Sequence, residues 1–344
     1  MKVLRTTTVA LALTIAGCGG KRVDAEIREE VVEEAGKLEL PQIEIGFNAK
    51  GDLNNPAQLS MVDALMDDLS TEIKSHMHIR VSAGTRSQRR LPSDWAESDV
   101  RGWCELQKKH GFGLVYVVNG NDAPENQAEF VAKWLAYGAK FSFIELMNET
   151  YLSKYREGDA SRPGAEGQIT IEDYTDRLVP AFSEHLAPFD VPLYLVFAPK
   201  KGKGKKRTYN DEWNEAVGGF ASQAPEGHTY GAVVHLYFDG GEYDYGQIDR
   251  LRAMLPEGTP IAVTEAGLSA RTGYNYDERG ELIEAHYRKI NARLKPGEYL
   301  FDHILYTDYD NDMDATLHPN YKGISPKGEY VLRWMRDVYP ESEE

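Results

Sequence analysis

Two glutamates stand where apolar runs stop: Phe141-Ser-Phe-Ile-Glu-Leu-Met-Asn148-Glu149 and Pro260-Ile-Ala-Val-Thr264-Glu265-Ala-Gly267. An acid at a strand exit is unusual because the strand interior is apolar, and two acids so placed meet when their strands belong to one closed sheet. Paired carboxylates across a single mouth are the machinery of glycosidic bond cleavage: one attacks the anomeric carbon while the other protonates the departing oxygen. Each glutamate taken alone is equally a surface acid after a strand, so the elements that position them decide.

From Pro41 onward, short β-rich runs alternate with longer amphipathic segments, the signature of parallel βα units. Runs at 43–47, 77–81, 113–118, 141–146, 193–197, 232–236, 261–263 and 301–306 predict eight strands. Helices are predicted over 56–73, 98–110, 125–137, 171–186, 210–222, 245–254, 276–294 and 326–338, the last with Ser325 as N-cap before Pro326. Eight strands each followed by a helix is the count of a single (β/α)8 TIM barrel, in the α/β class. A doubly wound open sheet is the alternative, but no G-x-G-x-x-G run follows any predicted strand.

In such a barrel the residues at the strands' C-terminal ends gather on one face. Those positions read Asn48, Arg80, Asn119, Asn148, Glu149, His235, Tyr237, Glu265, Tyr306 and Asp308. Glu149 and Glu265 then follow the fourth and seventh strands and face one another over the barrel axis. Arg80 beside a carboxylate would lower its pKa, or it is an ordinary salt-bridge arginine. His235 at a strand end is a site residue or a satisfied structural histidine.

The chain from Ile43 to its last helix resembles clan A of the glycoside hydrolases, retaining TIM-barrel enzymes with glutamates on strands four and seven. Glu145-Leu-Met-Asn148-Glu149 looks like the clan's Glu-x-x-Asn-Glu strand end, and Thr264-Glu265-x-Gly267 is similar to its nucleophile strand. The resemblance implies Glu149 as acid/base, Glu265 as nucleophile, and Asn148 as hydrogen-bond donor to a sugar 2-hydroxyl. It also implies Arg80 holding the nucleophile ionised, Tyr237 hydrogen-bonded to that carboxylate and His235 near the acid/base, with Asn48 among the supporting residues. One departure concerns the eighth strand, where many clan members carry a tryptophan platform and this chain reads Leu305-Tyr306-Thr307-Asp308. Tyr306 is the candidate to stack on a sugar instead.

The first residues have a separate purpose. Lys2 and Arg5 precede an apolar run at 8–15, too short to span a bilayer as a stable helix, so 1–17 reads as a secretory signal. Leu13-Thr14-Ile15-Ala16-Gly17-Cys18 resembles a bacterial lipobox, which implies a lipid on Cys18 and a place in the cell envelope on the extracytoplasmic side; an ordinary signal peptide is the alternative. Residues 18–38, rich in Glu and Lys, read as a charged tether or frayed helix, mobile in either case, and 39–344 as the catalytic barrel. Cys104 is the other cysteine, so with Cys18 lipidated no intramolecular disulfide is expected.

A formal net charge of −16 argues against nucleic-acid binding and against adsorption to anionic lipid, leaving the lipid as the expected membrane contact. Local basic clusters run the other way: Arg86, Arg89 and Arg90 follow the second strand and 200–207 holds six Lys and Arg after the fifth. They attract an anionic polysaccharide or are simply solvated loops. Asp308, Asp310, Asp312 and Asp314 alternate as in a calcium loop, but Met313 and Pro319 stand where such a loop needs Gly and Glu, so a solvated acidic loop is expected. No zinc, haem or P-loop spacing occurs, and no cofactor or metal is expected. The competing function class is a lipoprotein that binds glycans on the same scaffold without cleaving them.

Overall fold

A computed structural model of the chain describes residues 25–49, 56–82, 84–152, 169–199, 205–224, 229–238, 243–268, 276–307 and 315–340. Eight parallel strands close on themselves in sequence order: β1 (Glu44–Asn48), β2 (Met77–Val81), β3 (Gly113–Val117), β4 (Phe141–Leu146), β5 (Leu193–Phe197), β6 (Gly231–Phe238), β7 (Ile261–Leu268) and β8 (Tyr299–Asp302). β8 pairs with β1, Glu44 opposite Tyr299 and Phe47 opposite Asp302. The chain is a (β/α)8 TIM barrel, as the alternation of runs predicts.

Alternating side chains give the barrel two interiors. The lower one is apolar: Val115, Phe143, Tyr194, Val233, Ala262 and Phe301 form a closed cluster, with Phe143 and Tyr194 stacked at 4.0 Å between centroids. Gly46 makes room for it, since a Cβ there would lie 2.4 Å from the Phe301 ring. One pleat nearer the strands' C-terminal ends, the inward side chains on β2, β4 and β6 become Arg80, Glu145 and His235, all fully or almost fully buried. A charged layer lies on an aromatic floor. Outward-facing residues pack under the helices in one continuous core that includes Trp103, Trp134, Trp213 and Trp334.

Three elements differ from the pattern. The helix predicted over 56–73 is two, Pro56–Asp68 and Thr71–Ser75, because Ser70 accepts a hydrogen bond from Ile73 N at 3.3 Å and caps a new start. The helix predicted over 171–186 is π-wound at Asp173–Leu178 before it regularises at Val179–Leu186, where Pro180 has no N–H to give the preceding turn. That irregular turn places Tyr174 so that its hydroxyl donates to Leu146 O and accepts from Val196 N, tying the end of β4 to β5.

The third is the eighth strand, which ends at Asp302 and not at Tyr306. Residues beyond it leave the barrel and bond elsewhere: Leu305 N donates to Asn48 O, and Leu317 N to Leu305 O at 2.7 Å. The segment at 18–38 is open in sequence to two readings, a charged tether or a frayed helix. Its described part, Ala25–Gly36, is a helix with Ala35 fully buried, lying along the helix Tyr276–Asn291.

Candidate active site

Glu265 reaches the mouth through a β-bulge. Val234 pairs with Val263, but His235 pairs with Glu265, so Thr264 is an extra residue on β7, and the β7–β8 register shifts at the same place. Strict alternation from inward-facing Ala262 would send Glu265 outward; the bulge brings it opposite His235.

Glu149 is aimed differently. Met147 and Glu149 both adopt left-handed backbone, with φ of 75° and 48°, on either side of fully buried Asn148. Such conformations cost on the order of 1–3 kcal/mol each in non-glycine residues and persist where surrounding contacts enforce them. Here Gln88, on the loop after β2, donates from Nε2 to Asn148 O at 2.6 Å and holds the turn from the far side.

Arg80 organises the layer. Its Nε and Nη2 bind both oxygens of Glu145 at 2.7 Å, Nη2 also binds Asn148 Oδ1 at 2.9 Å, and Nη1 binds Asn48 Oδ1 and Glu265 Oε1 at 2.8 Å each. All five donors are committed. Asn48 is equally committed, donating to Thr264 O at 2.6 Å and Asp302 O at 2.8 Å, so it staples β1 to β7 and β8.

The two carboxylates meet around His235. Its Nδ1 lies 3.2 Å from Glu149 Oε1 and 3.8 Å from Glu265 Oε2, so those two oxygens are no further apart than the two distances combined. That bound admits the roughly 5 Å separation of a double-displacement pair. Their surroundings are unlike. Glu265, with its side chain 4% exposed, receives Arg80 and the hydroxyl of Tyr237. Glu149, 17% exposed and nearer the opening, receives the Tyr151 hydroxyl at 3.3 Å.

Electrostatics follow from this packing. Burial pulls the pKa of His235 down, but the charge of Glu265 and the neighbouring carboxylates of Glu145 and Glu149 outweigh it and lift it to about 9. Burial likewise opposes ionisation of Glu145, yet Arg80 and His235 hold its carboxyl below the usual range. Burial and the charges of Glu265 and Glu149 push the Tyr237 hydroxyl well up, so it stays a donor. Removing one member of a buried ion cluster leaves an uncompensated charge, at a cost of about 3–5 kcal/mol.

The structure thus brings together Arg80, Asn148, Glu149, His235, Tyr237 and Glu265, with Asn48 behind them. Asn119 instead pins loops, donating to Arg90 O at 2.8 Å and accepting from Asn121 N. Tyr306 is buried and bridges to Leu317, so it does not stand at the end of β8 as expected. The residue after that strand is His303, half-buried, its ring edge-on to Tyr237 at 4.9 Å. Cys18, Asp308, the acidic loop at 308–314, the Arg86 side chain and the basic run's side chains at 200–207 lie outside the described residues; Arg89 is exposed after β2.

Sequence reading missed Glu145 and Gln88 as site residues. Glu145 carried a signal: it follows Phe143 by two in a strand, an acid at an inward position. Among the described residues, a group able to ligate a metal is Asp63, Asp67 and His110, outside the barrel. Lys109 Nζ already lies 2.7 and 3.1 Å from its two carboxylates, which meets their charge.

No family model and no curated protein matches the chain. Solved structures do. The chain is similar to a family 39 glycoside hydrolase from Bacteroides cellulosilyticus WH2, with TM-score 0.52 and 12% identity over 88% of this chain and 64% of that one. It is similar to a monomeric beta-xylosidase from Caulobacter crescentus CB15, with TM-score 0.50 and 13% identity over 85% of this chain and 68% of that one. A family 128 (subgroup II) endo-beta-1,3-glucanase from Sorangium cellulosum aligns with TM-score 0.50 and 13% identity over 89% of this chain and 100% of that one. At this identity the likeness is one of fold, and the chain spans under two thirds of the length of the first of these proteins.

Proposed function

We propose that the protein is a retaining glycoside hydrolase, anchored in the bacterial envelope through Cys18. The observation that carries the reading is the convergence of Glu149 and Glu265 on one imidazole nitrogen, with Arg80 and the Tyr237 hydroxyl both on Glu265. A carboxylate given a cation and a phenol is held ionised and oriented, which suits a nucleophile. Its partner nearer the opening is placed to exchange a proton with a leaving group or with water.

In the first step Glu149 gives its proton to the glycosidic oxygen as a Glu265 oxygen attacks the anomeric carbon, releasing the leaving group and forming a glycosyl ester. In the second, ionised Glu149 takes a proton from a water that attacks the same carbon, and Glu265 departs as carboxylate. The configuration is kept. Asn148 supports the sugar: its Nδ2 is buried without a partner while its Oδ1 is held by Arg80, leaving a donor directed by its own fixed acceptor. A 2-hydroxyl is the acceptor we assign to it.

The test is incubation with a panel of neutral and acidic polysaccharides, read by mass spectrometry of the products. Glu149→Gln and Glu265→Gln should each lower turnover by at least about 10³-fold. Activity surviving both substitutions removes this mechanism, and binding without product by the unaltered chain favours a non-catalytic glycan-binding barrel.

A further inference from the structure

The N-terminal helix Ala25–Gly36 fixes where an anchor must leave the barrel. The helix Tyr276–Asn291 follows β7, so it starts at the mouth and ends at the barrel floor, where β8 begins. Arg28 pairs with Glu278 at 3.1 Å near the start of that helix, and Glu34 with Lys289 at 3.1 Å near its end. The two helices therefore run in the same direction. Asn291 Nδ2 donates to Pro41 O at 2.9 Å where the chain turns into β1 at the floor, which confirms the sense. Ala25 emerges at the mouth end.

Length then limits the geometry. Six residues lie between Cys18 and Ala25, so the seven steps from one to the other span at most about 25 Å when fully extended. The 16-residue helix Tyr276–Asn291 is itself about 24 Å long. An anchor starting at the mouth end would use its whole reach merely to draw level with the floor, so it cannot seat the floor on a bilayer. The acidic barrel gains nothing by adsorbing to anionic lipid, so the anchor governs the pose.

We propose that the open mouth, with Glu149 and Glu265, is the membrane-facing end of the protein, and that the glycan it meets is presented at the bilayer surface. The inference rests on the reading of Cys18 as lipidated, and it stands apart from the chemistry assigned to the two glutamates.

The experiment uses the full lipidated chain on vesicles. Single dye sites come from Ser93→Cys, exposed on the mouth side after β2, and from Glu257→Cys, exposed on the floor side before β7. Cys104 is buried and unlabelled by design. Energy transfer to an acceptor in the headgroup layer is compared between the sites, and a height difference of about 24 Å should give at least about twofold more transfer from residue 93. Equal transfer, or more from residue 257, overturns the orientation while leaving the anchor standing. Vesicle flotation of the unaltered chain and of Cys18→Ser reads the anchor by itself: loss of flotation in the variant supports it. A chain that never floats, or that floats without Cys18, overturns both.

Discussion

At the scale of single residues, the site is a problem in placing three carboxylates against two cations in a buried layer. Arg80 is saturated by Glu145, Glu265 and two asparagines, and His235 closes the remaining gap between Glu149 and Glu265. Because the pKa of His235 in the fold, about 9, lies above its ordinary 6.5, the stabilisation from its charge is complete below 6.5 and is lost as pH rises through about 9. Urea midpoints should therefore fall between neutral and alkaline pH, and His235→Gln should flatten that slope; an unchanged slope in the variant assigns the effect elsewhere. Gln88 acts at one remove, through the carbonyl of Asn148 beside left-handed Glu149. Gln88→Ala should lower turnover of substrates with poor leaving groups by roughly tenfold while sparing activated aryl glycosides, which need little proton donation. Equal loss on both would reduce Gln88 to a structural part. Arg80, Asn148, Glu149, His235, Tyr237 and Glu265 were legible from strand-end positions and residue type. Gln88 was not, because its partner is a backbone oxygen that sequence does not display.

At the scale of elements, periodicity revealed existence and type better than ends. The run at 301–306 is β-rich, but its second half bonds to Asn48 and Leu317 instead of continuing the barrel, so the eighth strand stops at Asp302 and His303 takes the position read for Tyr306. The β7 bulge was hidden for a related reason. Thr264-Glu265 sits in an unbroken β-rich stretch, and only pairing with β6 shows the extra residue. End signals with a mechanism were more dependable: Ser325 Oγ accepts from Gly328 N at 3.0 Å with Pro326 in the first turn, as the sequence predicts. Ser325→Ala should cost about 1 kcal/mol in denaturant unfolding with turnover unchanged. A change in turnover would mean that the helix Pro326–Val338 positions the mouth, through buried Lys327 and its bond to Asp302 at the end of β8.

At the scale of the whole molecule, eight repeated βα units made the architecture readable from spacing, and closure makes the site: Asn48 bonds to β7 and β8 only because β1 lies beside β8. The helix Ala25–Gly36 adds to the outside of this ring without touching the charged layer. A chain starting at residue 39 should fold and keep its turnover while unfolding about 1–2 kcal/mol more easily, from the apolar surface uncovered on the helix Tyr276–Asn291. Loss of turnover at unchanged stability would contradict that division. The central claim is chemical, and it is met most directly by trapping the glycosyl ester. A panel of activated 2-deoxy-2-fluoro glycosides, followed by peptide mass mapping, should leave one sugar on Glu265, and Glu265→Gln should leave none. A sugar on another residue, or hydrolysis with inverted configuration and no adduct, would contradict the account.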